Sequence, residues 1–326
     1  MSDLFTELKQ QIQGKDIKIV LPESEDLRII EAAHRLAEEG IVKVILVGNP
    51  EKVNEFASSN GFDVSNCEIL DPLTYDKMDE MIEQFLEVRK GKATREQAVE
   101  LLKTPNYFAT MLVYRGEAHG LVSGAVNSTG DTVRPALQII KTKPGASRVF
   151  GYFILLKDNE RLLFADCAIN PNPKSEELAD IAIMSAKEAS LYGIDPKVAL
   201  LSFSTNGSAD TEETRKVREA VKIAKEKAPE LFIDGEMQFD AAVVPAVAEK
   251  KFPGSPVAGQ ANVFVFPDLN SGNIGYKIAQ RLGGYEAIGP ILAGINAPVN
   301  DLSRGCSSED AYKTAILTAA QYVNQQ

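Results

Sequence analysis

The segment IKIVLPESEDLRIIEAAHRLAEEGIVKVILV (Ile17–Val47) decides the fold class, because it contains a complete β-α-β unit. Its two ends, IKIVL (Ile17–Leu21) and KVILV (Lys43–Val47), are short and apolar, as buried strands are. Between them, apolar residues recur at helical spacing, with Ser24 as a possible cap and Gly40 as a helix stop. Short apolar strands that alternate with amphipathic helices predict a parallel sheet covered on both faces.

The same alternation continues along the chain. It predicts strands at 120–125, 149–156, 162–165, 198–203, 263–266 and 287–292. It predicts helices at 76–88, 175–192 and 273–282, and from Ser307 or Ser308 to about Val323. Start signals for other helices lie at Thr94 with Gln97 and at Asp210 with Glu213, and Asp158-Asn159-Glu160 predicts a hairpin turn. The last helix has no strand after it, so we expect it to return to the first domain.

Length and charge narrow the class of protein. The chain has 326 residues, 35 of them basic and 46 acidic, for a formal net charge of -11. At roughly 150 residues per domain, this length predicts about two domains. The acidity argues against nucleic acid or an anionic membrane as a partner, since both need broad basic surfaces. No apolar run is long enough to span a membrane, and the polar N-terminus lacks a signal-peptide core, so we expect a cytoplasmic protein.

Cysteine and histidine are scarce. The three cysteines (Cys67, Cys167 and Cys306) are odd in number and far apart, which favours a reducing compartment over a disulfide framework. The only histidines are His34 and His119, so no cluster with zinc-ligand spacing exists and we expect no metal site. A Ser-His-Asp or Cys-His enzyme would have to use one of these two histidines.

Two loops carry candidate chemistry. The first, Asn127-Ser128-Thr129-Gly130, lies between a strand and a helix, where hydroxyls and free N–H groups bind anions, and Arg134 follows one turn later. An ordinary N-cap loop with a solvated arginine is the alternative interpretation.

The second is the stretch GPILAGINAPVNDLSRGCS (Gly289–Ser307). There Ser303 and Arg304 could offer donors to an oxyanion or a phosphate. Asp310 could act as a base, although Ser307 and Asp310 also match a capping box. Cys306 could be a nucleophile, but most cysteines are small buried residues.

The arginines fall into two groups. Arg89, Arg134, Arg281 and Arg304 lie near predicted loops or helix ends, where they can contact an anionic substrate. Arg28, Arg35, Arg95, Arg215 and Arg218 lie within or open amphipathic helices, where a solvated face or i,i+4 pairing is favoured.

Four ordered motifs identify a family. The run Gly289–Ser307 strongly resembles the signature of phosphate acetyltransferases, and STGDTVRPALQIIKTKPG (Ser128–Gly145) resembles their second signature. FADCAINPNP (Phe164–Pro173) and SFSTNGSA (Ser202–Ala209) resemble two more. The similarity covers essentially the whole chain and matches the short bacterial form.

The resemblance implies a reaction and an architecture. The reaction is reversible acetyl transfer, acetyl-CoA plus phosphate giving acetyl phosphate plus CoA, which belongs to acetate metabolism. The fold is two three-layer α/β/α domains with a cleft between them, as in isocitrate and isopropylmalate dehydrogenases. We place domain I at residues 1–142 plus 296–326, domain II at residues 143–295 and the active site in the cleft. The resemblance also implies a homodimer that uses coenzyme A as co-substrate, with no tightly bound cofactor and no required divalent metal.

The resemblance further implies residue roles. Asp310 matches the base that deprotonates the CoA thiol, Ser303 the residue that hydrogen-bonds the reacting carbonyl, and Arg304 the residue that stabilises phosphate. Substrate-binding positions are Arg89, Arg134 and Arg281, to which the first loop adds Ser128 and Thr129. Cys167 matches a cysteine near the site that is not the nucleophile.

Three alternatives remain at this stage. A phosphate butyryltransferase shares the catalytic logic and differs in the size of its acyl pocket. A dehydrogenase on the related fold needs a nicotinamide site and metal-binding aspartates, for which the sequence offers no convincing motif. A regulatory acyl-CoA-binding module is disfavoured because Ser303, Arg304 and Asp310 are all present.

Overall fold

The structure is a computed structural model, and it describes residues 3–325. The chain divides into two compact units. Unit 1 contains the residues up to Pro144 together with those from Ile295 onward, and unit 2 is Gly145–Gly294.

The described residues form eleven strands and thirteen helices. The strands are β1 (Lys18–Leu21), β2 (Lys43–Val47), β3 (Glu68–Leu70), β4 (Gly120–Ser123), β5 (Phe150–Lys157), β6 (Glu160–Ala165), β7 (Lys197–Leu201), β8 (Phe232–Met237), β9 (Val263–Val265), β10 (Glu286–Ala293) and β11 (Val299–Asp301). The helices are α1 (Leu4–Ile12), α2 (Leu27–Glu39), α3 (Pro50–Ser59), α4 (Met78–Arg89), α5 (Arg95–Leu102), α6 (Pro105–Tyr114), α7 (Thr129–Ile139), α8 (Ser175–Leu191), α9 (Glu212–Lys227), α10 (Phe239–Val243), α11 (Pro245–Lys251), α12 (Leu269–Arg281) and α13 (Ser308–Asn324).

Unit 1 is built on a parallel five-stranded sheet in the order β11-β4-β1-β2-β3. The predicted β-α-β unit is confirmed, with Ile19, Val20 and Leu21 fully buried in the central strand. Helix α2 ends as predicted at Gly40, which adopts a left-handed conformation with φ 63°.

The start of α2 differs from the prediction. Asp26 is the N-cap, and its side chain accepts the backbone N–H of Arg28. Ser24 instead donates its hydroxyl to the carbonyl of Val47 at 2.6 Å, because the neighbouring strand brings an acceptor within reach. The capping box at Thr94 and Gln97 is confirmed.

The strand order of unit 1 brings three loops to one edge of the sheet. From β1 the chain proceeds through β2 to β3 on one side, whereas β4 and then β11 pair on the other side. In a parallel sheet, the point where the strand order reverses leaves a crevice at the carboxyl ends, and ligands bind there. The loops that leave β1, β4 and β11, namely residues 22–26, 124–128 and 302–307, therefore start at the same edge.

Unit 2 has a mixed six-stranded sheet in the order β10-β5-β6-β9-β7-β8. The predicted hairpin is confirmed: β5 and β6 are antiparallel, and the turn residue Asp158 has φ 52°. Strand β10 is also antiparallel to β5, whereas β6, β9, β7 and β8 pair in parallel fashion. Strand β8 (FIDGEM) escaped sequence analysis, because its glycine and two acidic residues hide the apolar pattern.

Helix α9 begins one residue later than the predicted pair Asp210 and Glu213 implies. Its N-cap is Thr211, which forms a capping box with Thr214. The carboxylate of Asp210 instead forms salt bridges with Arg215 and Arg218, at 2.5 and 2.6 Å, so it does not cap the helix.

The last helix completes unit 1. Helix α13 packs on α1, α2 and β4, and Ala315, Ile316 and Leu317 are fully buried there. None of the helices in residues 3–325 is both long and apolar enough to cross a lipid bilayer.

Candidate active site

A short exposed turn follows β11. The N–H of Cys306 donates to the carbonyl of Ser303 at 2.8 Å, and the N–H of Gly305 donates to the Ser303 hydroxyl at 3.3 Å. Ser303 and Arg304 are both exposed, and within residues 3–325 the Arg304 guanidinium has no hydrogen bond or ion pair. A guanidinium has five N–H donors, so Arg304 can offer a full bidentate contact to an anion.

Asp310 lies in the first turn of α13, where the predicted capping box is present. Its Oδ2 accepts the backbone N–H of Ser307 at 2.8 Å and the Ser307 hydroxyl at 2.9 Å. The N–H of Asp310 donates to the Ser307 hydroxyl at 3.1 Å. A carboxylate has acceptor sites on both oxygens, and no described residue hydrogen-bonds Oδ1. The cap therefore occupies one oxygen of Asp310 and leaves the other available for chemistry.

The loop before α7 holds Ser128 and Thr129. Ser128 is the N-cap, and its hydroxyl donates to Oδ2 of Asp131 at 2.6 Å. The Thr129 hydroxyl donates to Oδ2 of Asp301 at 2.6 Å. Both hydroxyl protons are thus used inside unit 1. For an incoming anion the helix start offers chiefly the backbone N–H groups of Thr129 and Gly130, which lack an intrahelical acceptor.

Asp301 is a buried carboxyl at the end of β11. Burial raises its pKa to about 6, and the Glu23 carboxylate adds to the rise, while the hydrogen bond from Thr129 opposes it. Its Oδ1 packs against Gly124, where an added Cβ would lie 2.3 Å away. Gly124 has φ 113°, so both its conformation and its close approach to Asp301 require glycine.

Glu23 organises the loop after β4. Its carboxylate accepts the four backbone N–H groups of residues 124–127 and the side-chain amide of Asn127, at distances from 2.8 to 3.0 Å. Glu23 is 7% exposed, so these bonds replace nearly all of its hydration. The five donors divide unevenly, since Oε1 accepts three and Oε2 accepts two, so two of the donors share one of the two acceptor sites of Oε1.

Arg28 ties the same loop to the turn after β11. Its Nη1 donates to the carbonyls of Arg304 and Cys306 at 2.8 and 3.0 Å. Its Nη2 donates to the carbonyl of Ala125 at 2.7 Å. Asp26 holds the guanidinium in a bidentate pair, at 2.9 Å to Nε and 2.8 Å to Nη2. The interpretation of Arg28 as part of a solvated face or an i,i+4 pair is wrong.

A second group of cations in unit 1 contains Arg89, at the end of α4, and Arg134, in α7. Burial raises the pKa of Tyr107, whereas Arg134 and Arg89 both lie near enough to lower it. Arg134 is exposed, with only a 3.9 Å contact to Asp131, and the buried Nε of Arg89 has no hydrogen-bond partner among the described residues. Both guanidiniums therefore lie near Tyr107, and both are only weakly paired.

Cys306 is poorly suited to covalent catalysis. It is 8% exposed, and burial raises the pKa of its thiol to about 11 although the Arg28 charge opposes the rise. The reactive form of cysteine is the thiolate, which this environment disfavours. The histidines have structural contacts instead: His34 meets the carbonyl of Asp63 at 2.8 Å, and His119 accepts the N–H of Lys18 at 2.9 Å.

Two predicted residues belong to unit 2. Arg281 is exposed at the last position of α12. Cys167 is fully buried in the core of the unit, and burial together with the charge of Asp166 raises its pKa well above the ordinary value. Asp166 organises its loop much as Glu23 does: it accepts the N–H groups of Gly151 and residues 168–170 and the side-chain amide of Asn170.

Unit 1 has a crevice of ≈ 430 Å³ at the edge where its loops meet. Its walls include residues 22–26, residues 47–49, Val126 and Asn127. A crevice of ≈ 670 Å³ in unit 2, between the starts of α8 and α9, contains none of the predicted site residues. The unit 1 crevice is not lined by a predicted site residue either, but we favour it because its wall contains Glu23 and also Asn127, which directly precedes Ser128.

The family described as "Phosphate acetyl/butaryl transferase" matches residues 3–319. The chain belongs to this family. It is 58% identical to a phosphate acetyltransferase from Staphylococcus epidermidis over 98% of this chain and 99% of the relative. The structure of a phosphotransacetylase from Streptococcus pyogenes has a TM-score of 0.96 and 56% identity, covering 99% of this chain and 100% of the other.

A more distant likeness concerns the fold alone. The structure of a putative 4-hydroxythreonine-4-phosphate dehydrogenase from Salmonella typhimurium has a TM-score of 0.55 at 14% identity, with 94% of this chain and 99% of that chain covered. The predicted α/β architecture of dehydrogenase type is confirmed, as is the predicted family. This member of the phosphate acetyl/butaryl transferase family is therefore an acyltransferase.

In this acyltransferase, Glu23 and the contacts of Arg28 were not predicted from the sequence. Both residues lie in the segment PESEDLR (Pro22–Arg28), directly after the strand β1. Polar residues at the carboxyl end of a central parallel strand lie where ligands bind, so their position was the available signal. Their partners in the loops after β4 and β11 are 97 to 278 residues away, and only the strand order reveals them.

No group of three or more His, Cys, Asp and Glu residues within the described range 3–325 is arranged to hold a metal ion.

Proposed function

We propose that this chain catalyses the reversible transfer of an acetyl group between CoA and phosphate. The observation that carries the proposal is the 58% identity to a phosphate acetyltransferase over 98% of the chain. The exposed Ser303-Arg304 turn and the nearby Asp310 supply the types of group that the reaction needs. CoA, acetyl-CoA, acetyl phosphate and phosphate are its substrates and products.

The first step is activation of the CoA thiol by Asp310. A free thiol has a pKa near about 8.5 and is mostly protonated at neutral pH. The Oδ1 atom of Asp310 is not engaged by the helix cap, so it can accept the thiol proton. The thiolate sulfur then attacks the acetyl carbonyl carbon in a ternary complex, without an acyl-enzyme.

The second step is collapse towards the thioester. A carbon–sulfur bond forms, the carbon–oxygen bond to phosphate breaks, and its electron pair leaves with the phosphate oxygen. Ser303 donates a hydrogen bond to the carbonyl oxygen as it gains negative charge, and the unpaired Arg304 neutralises the departing phosphate.

The remaining predicted residues hold the substrates. Arg89 and Arg134, both near Tyr107 and weakly paired, suit a CoA phosphate, and Arg281 serves a substrate anion from unit 2. Ser128 and Thr129 act through the start of α7, where the Thr129 N–H is free. Cys167, predicted to line the pocket, takes no part in the chemistry, since its side chain is fully buried in the core of unit 2.

The family resemblance supports further proposals about the assembly. The active site lies in a cleft between domain I (residues 1–142 plus 296–326) and domain II (residues 143–295). The enzyme works as a cytoplasmic homodimer and needs no divalent metal.

The deciding experiment measures thioester absorbance when the purified protein is mixed with CoA and either acetyl or butyryl phosphate, with and without a chelator. We expect thioester from acetyl phosphate at a rate that the chelator leaves unchanged. Faster reaction with butyryl phosphate would replace the acetyl assignment by phosphate butyryltransferase. No thioester from either, together with CoA binding, would favour a regulatory acyl-CoA-binding module.

A further inference from the structure

We propose that Arg28 is a positioning residue for the reaction, because its guanidinium fixes the backbone of the Ser303-Arg304 turn against the loop after β4. The inference rests on the proposed function, since it assigns catalysis to that turn. It adds a residue that touches no substrate and acts through the residues that do.

The hydrogen bonds of Arg28 leave none of its donors for a ligand. Its five N–H groups match five acceptors: both carboxylate oxygens of Asp26 and the carbonyls of Ala125, Arg304 and Cys306. Arg304, by contrast, is exposed and unpaired among the described residues. The two arginines therefore have different roles: the guanidinium of Arg304 is available to bind phosphate, whereas that of Arg28 binds acceptors of the protein itself.

The acceptors come from three separate loops. Asp26 follows β1, Ala125 follows β4, and the carbonyls of Arg304 and Cys306 follow β11. These loops are adjacent in space only because β11, β4 and β1 are neighbours in the sheet. One planar cation thus sets the distance between the turn that holds Ser303 and the loop that leads to α7.

Glu23 complements this contact from the same segment of chain. It takes the N–H groups of residues 124–127, whereas Arg28 takes the carbonyl of Ala125 within that stretch. The N–H groups of this loop are therefore bound by Glu23, and one of its carbonyls is bound by Arg28. Because Glu23 fixes the loop, the Ala125 carbonyl is held in place to accept from Arg28. Glu23 and Arg28 together form what we call the loop clamp.

A lysine cannot replace Arg28 in the loop clamp. Its ammonium has three donors on a flexible stem, and it cannot form the planar bidentate pair with Asp26 while reaching three carbonyls. Arg28→Lys should therefore preserve the positive charge but lose the arrangement of hydrogen bonds to Asp26 and the three carbonyls. A displacement of about 1 Å at reacting groups costs roughly 100-fold in rate, which sets the expected size of the effect.

The test compares Arg28→Ala and Arg28→Lys with Arg115→Ala. Arg115 is a matched control, because its guanidinium is also satisfied internally, by Gln84, Glu80 and Glu117, and its side chain is 9% exposed. It follows α6 and precedes β4, so it lies away from the carboxyl edge. We expect both Arg28 variants to lose about 100-fold in kcat with KM changed by less than about threefold, and Arg115→Ala to keep kcat within about threefold.

A second readout separates positioning from general destabilisation. Adding Arg28→Ala to the Ser303→Ala/Arg304→Ala variant should lower kcat by less than about threefold, because the residues through which Arg28 acts are already gone. Millimolar guanidinium should partly restore kcat in Arg28→Ala and leave Arg115→Ala unchanged. Two results would overturn the proposal. One is a full loss of about 100-fold in kcat when Arg28→Ala is added to the Ser303→Ala/Arg304→Ala variant, and the other is a wild-type kcat in a folded Arg28→Lys variant.

Hydrogen exchange keeps the inference independent of turnover. Exchange at the N–H groups of Gly305 and Cys306, which are hydrogen-bonded within the turn, should accelerate in both Arg28 variants and remain unchanged in Arg115→Ala. If the wild-type protein makes no thioester, the proposed function fails, and unchanged exchange in the Arg28 variants would overturn the positioning role separately.

Discussion

The hydroxyl of Thr129 donates to Oδ2 of Asp301 at 2.6 Å, which joins the start of α7 to the end of β11. This bond links the predicted anion-binding loop to the strand that carries the Ser303-Arg304 turn. Asp301 is buried, and its pKa is raised to about 6. The acceptor of this hydrogen bond is therefore a carboxyl group whose ionised form is less favourable in the folded state than in the unfolded chain.

Asp301 should make unfolding pH-dependent. Its pKa rises from 3.8 to about 6 on folding, so the folded state holds the proton more tightly, and this contribution to stability decreases as the pH rises from about 4 to about 6. The full shift corresponds to ~3 kcal/mol at 1.36 kcal/mol per unit. The amide of the Asp301→Asn variant stays neutral at both pH values. The free energy of unfolding of this variant should therefore rise by about 1–2 kcal/mol relative to that of wild type as the pH increases from about 5 to about 7.5.

Denaturant unfolding at the two pH values measures this difference. Asp131→Asn is the control, because the hydroxyl of Ser128 lowers the pKa of Asp131 from its ordinary 3.8, so this carboxyl is ionised in both the folded and the unfolded state at both pH values, and the difference between the variant and wild type should be the same at both. A difference between Asp301→Asn and wild type that is the same at both pH values would contradict the assignment.

Capping and base catalysis by Asp310 can be separated with two variants. Asp310→Asn keeps an acceptor for the Ser307 N–H and loses the base, so kcat should fall by roughly 100-fold or more. Ser307→Ala removes the capping hydroxyl and keeps the carboxylate, so it should cost ~1 kcal/mol of stability while kcat stays within a few-fold of wild type.

Steady-state kinetics and thermal unfolding of both variants give the answer. If Ser307→Ala loses as much activity as Asp310→Asn, the cap and not the base explains the role of Asp310.

Cys306→Ala should retain most of its activity. The thiol is buried with a pKa of about 11, so almost none of it is thiolate near neutral pH. Turnover with acetyl phosphate and CoA, together with intact-protein mass spectrometry during turnover, checks this expectation. Complete loss of activity with a trapped acetyl adduct on the wild-type protein would revive covalent catalysis.

Arg89 and Arg134 should act mainly on substrate affinity. Removing one cation from a pair that binds a phosphate weakens the charge-assisted contact, so Arg134→Ala should raise the KM for CoA by about tenfold with little change in kcat. The increase should shrink at high salt, because exposed charges are screened. Arg95→Ala is the control, since Arg95 is an exposed arginine of α5 that pairs with Glu83. If Arg95→Ala raises the KM for CoA as much as Arg134→Ala does, Arg134 contributes only to the overall charge of the protein and does not bind CoA directly.

The local features of this protein could be predicted from its sequence. The first β-α-β unit, the stop at Gly40, the capping boxes at Thr94 and Ser307 and the hairpin turn at Asp158 all depend on residues a few positions apart. Periodicity and capping chemistry report such short-range interactions directly. The motifs also sufficed to identify the family.

The tertiary structure alone decided how the polar loops are used. Ser24 was a plausible cap until β2 placed the carbonyl of Val47 beside its hydroxyl. Arg28 was an ordinary helix residue until the order β11-β4-β1 brought three carbonyls to its guanidinium. Asp301 acquired its raised pKa because the fold buries its carboxyl and places the Glu23 carboxylate near it. Strand order pairs segments more than 100 residues apart, and no local pattern encodes which of them become neighbours.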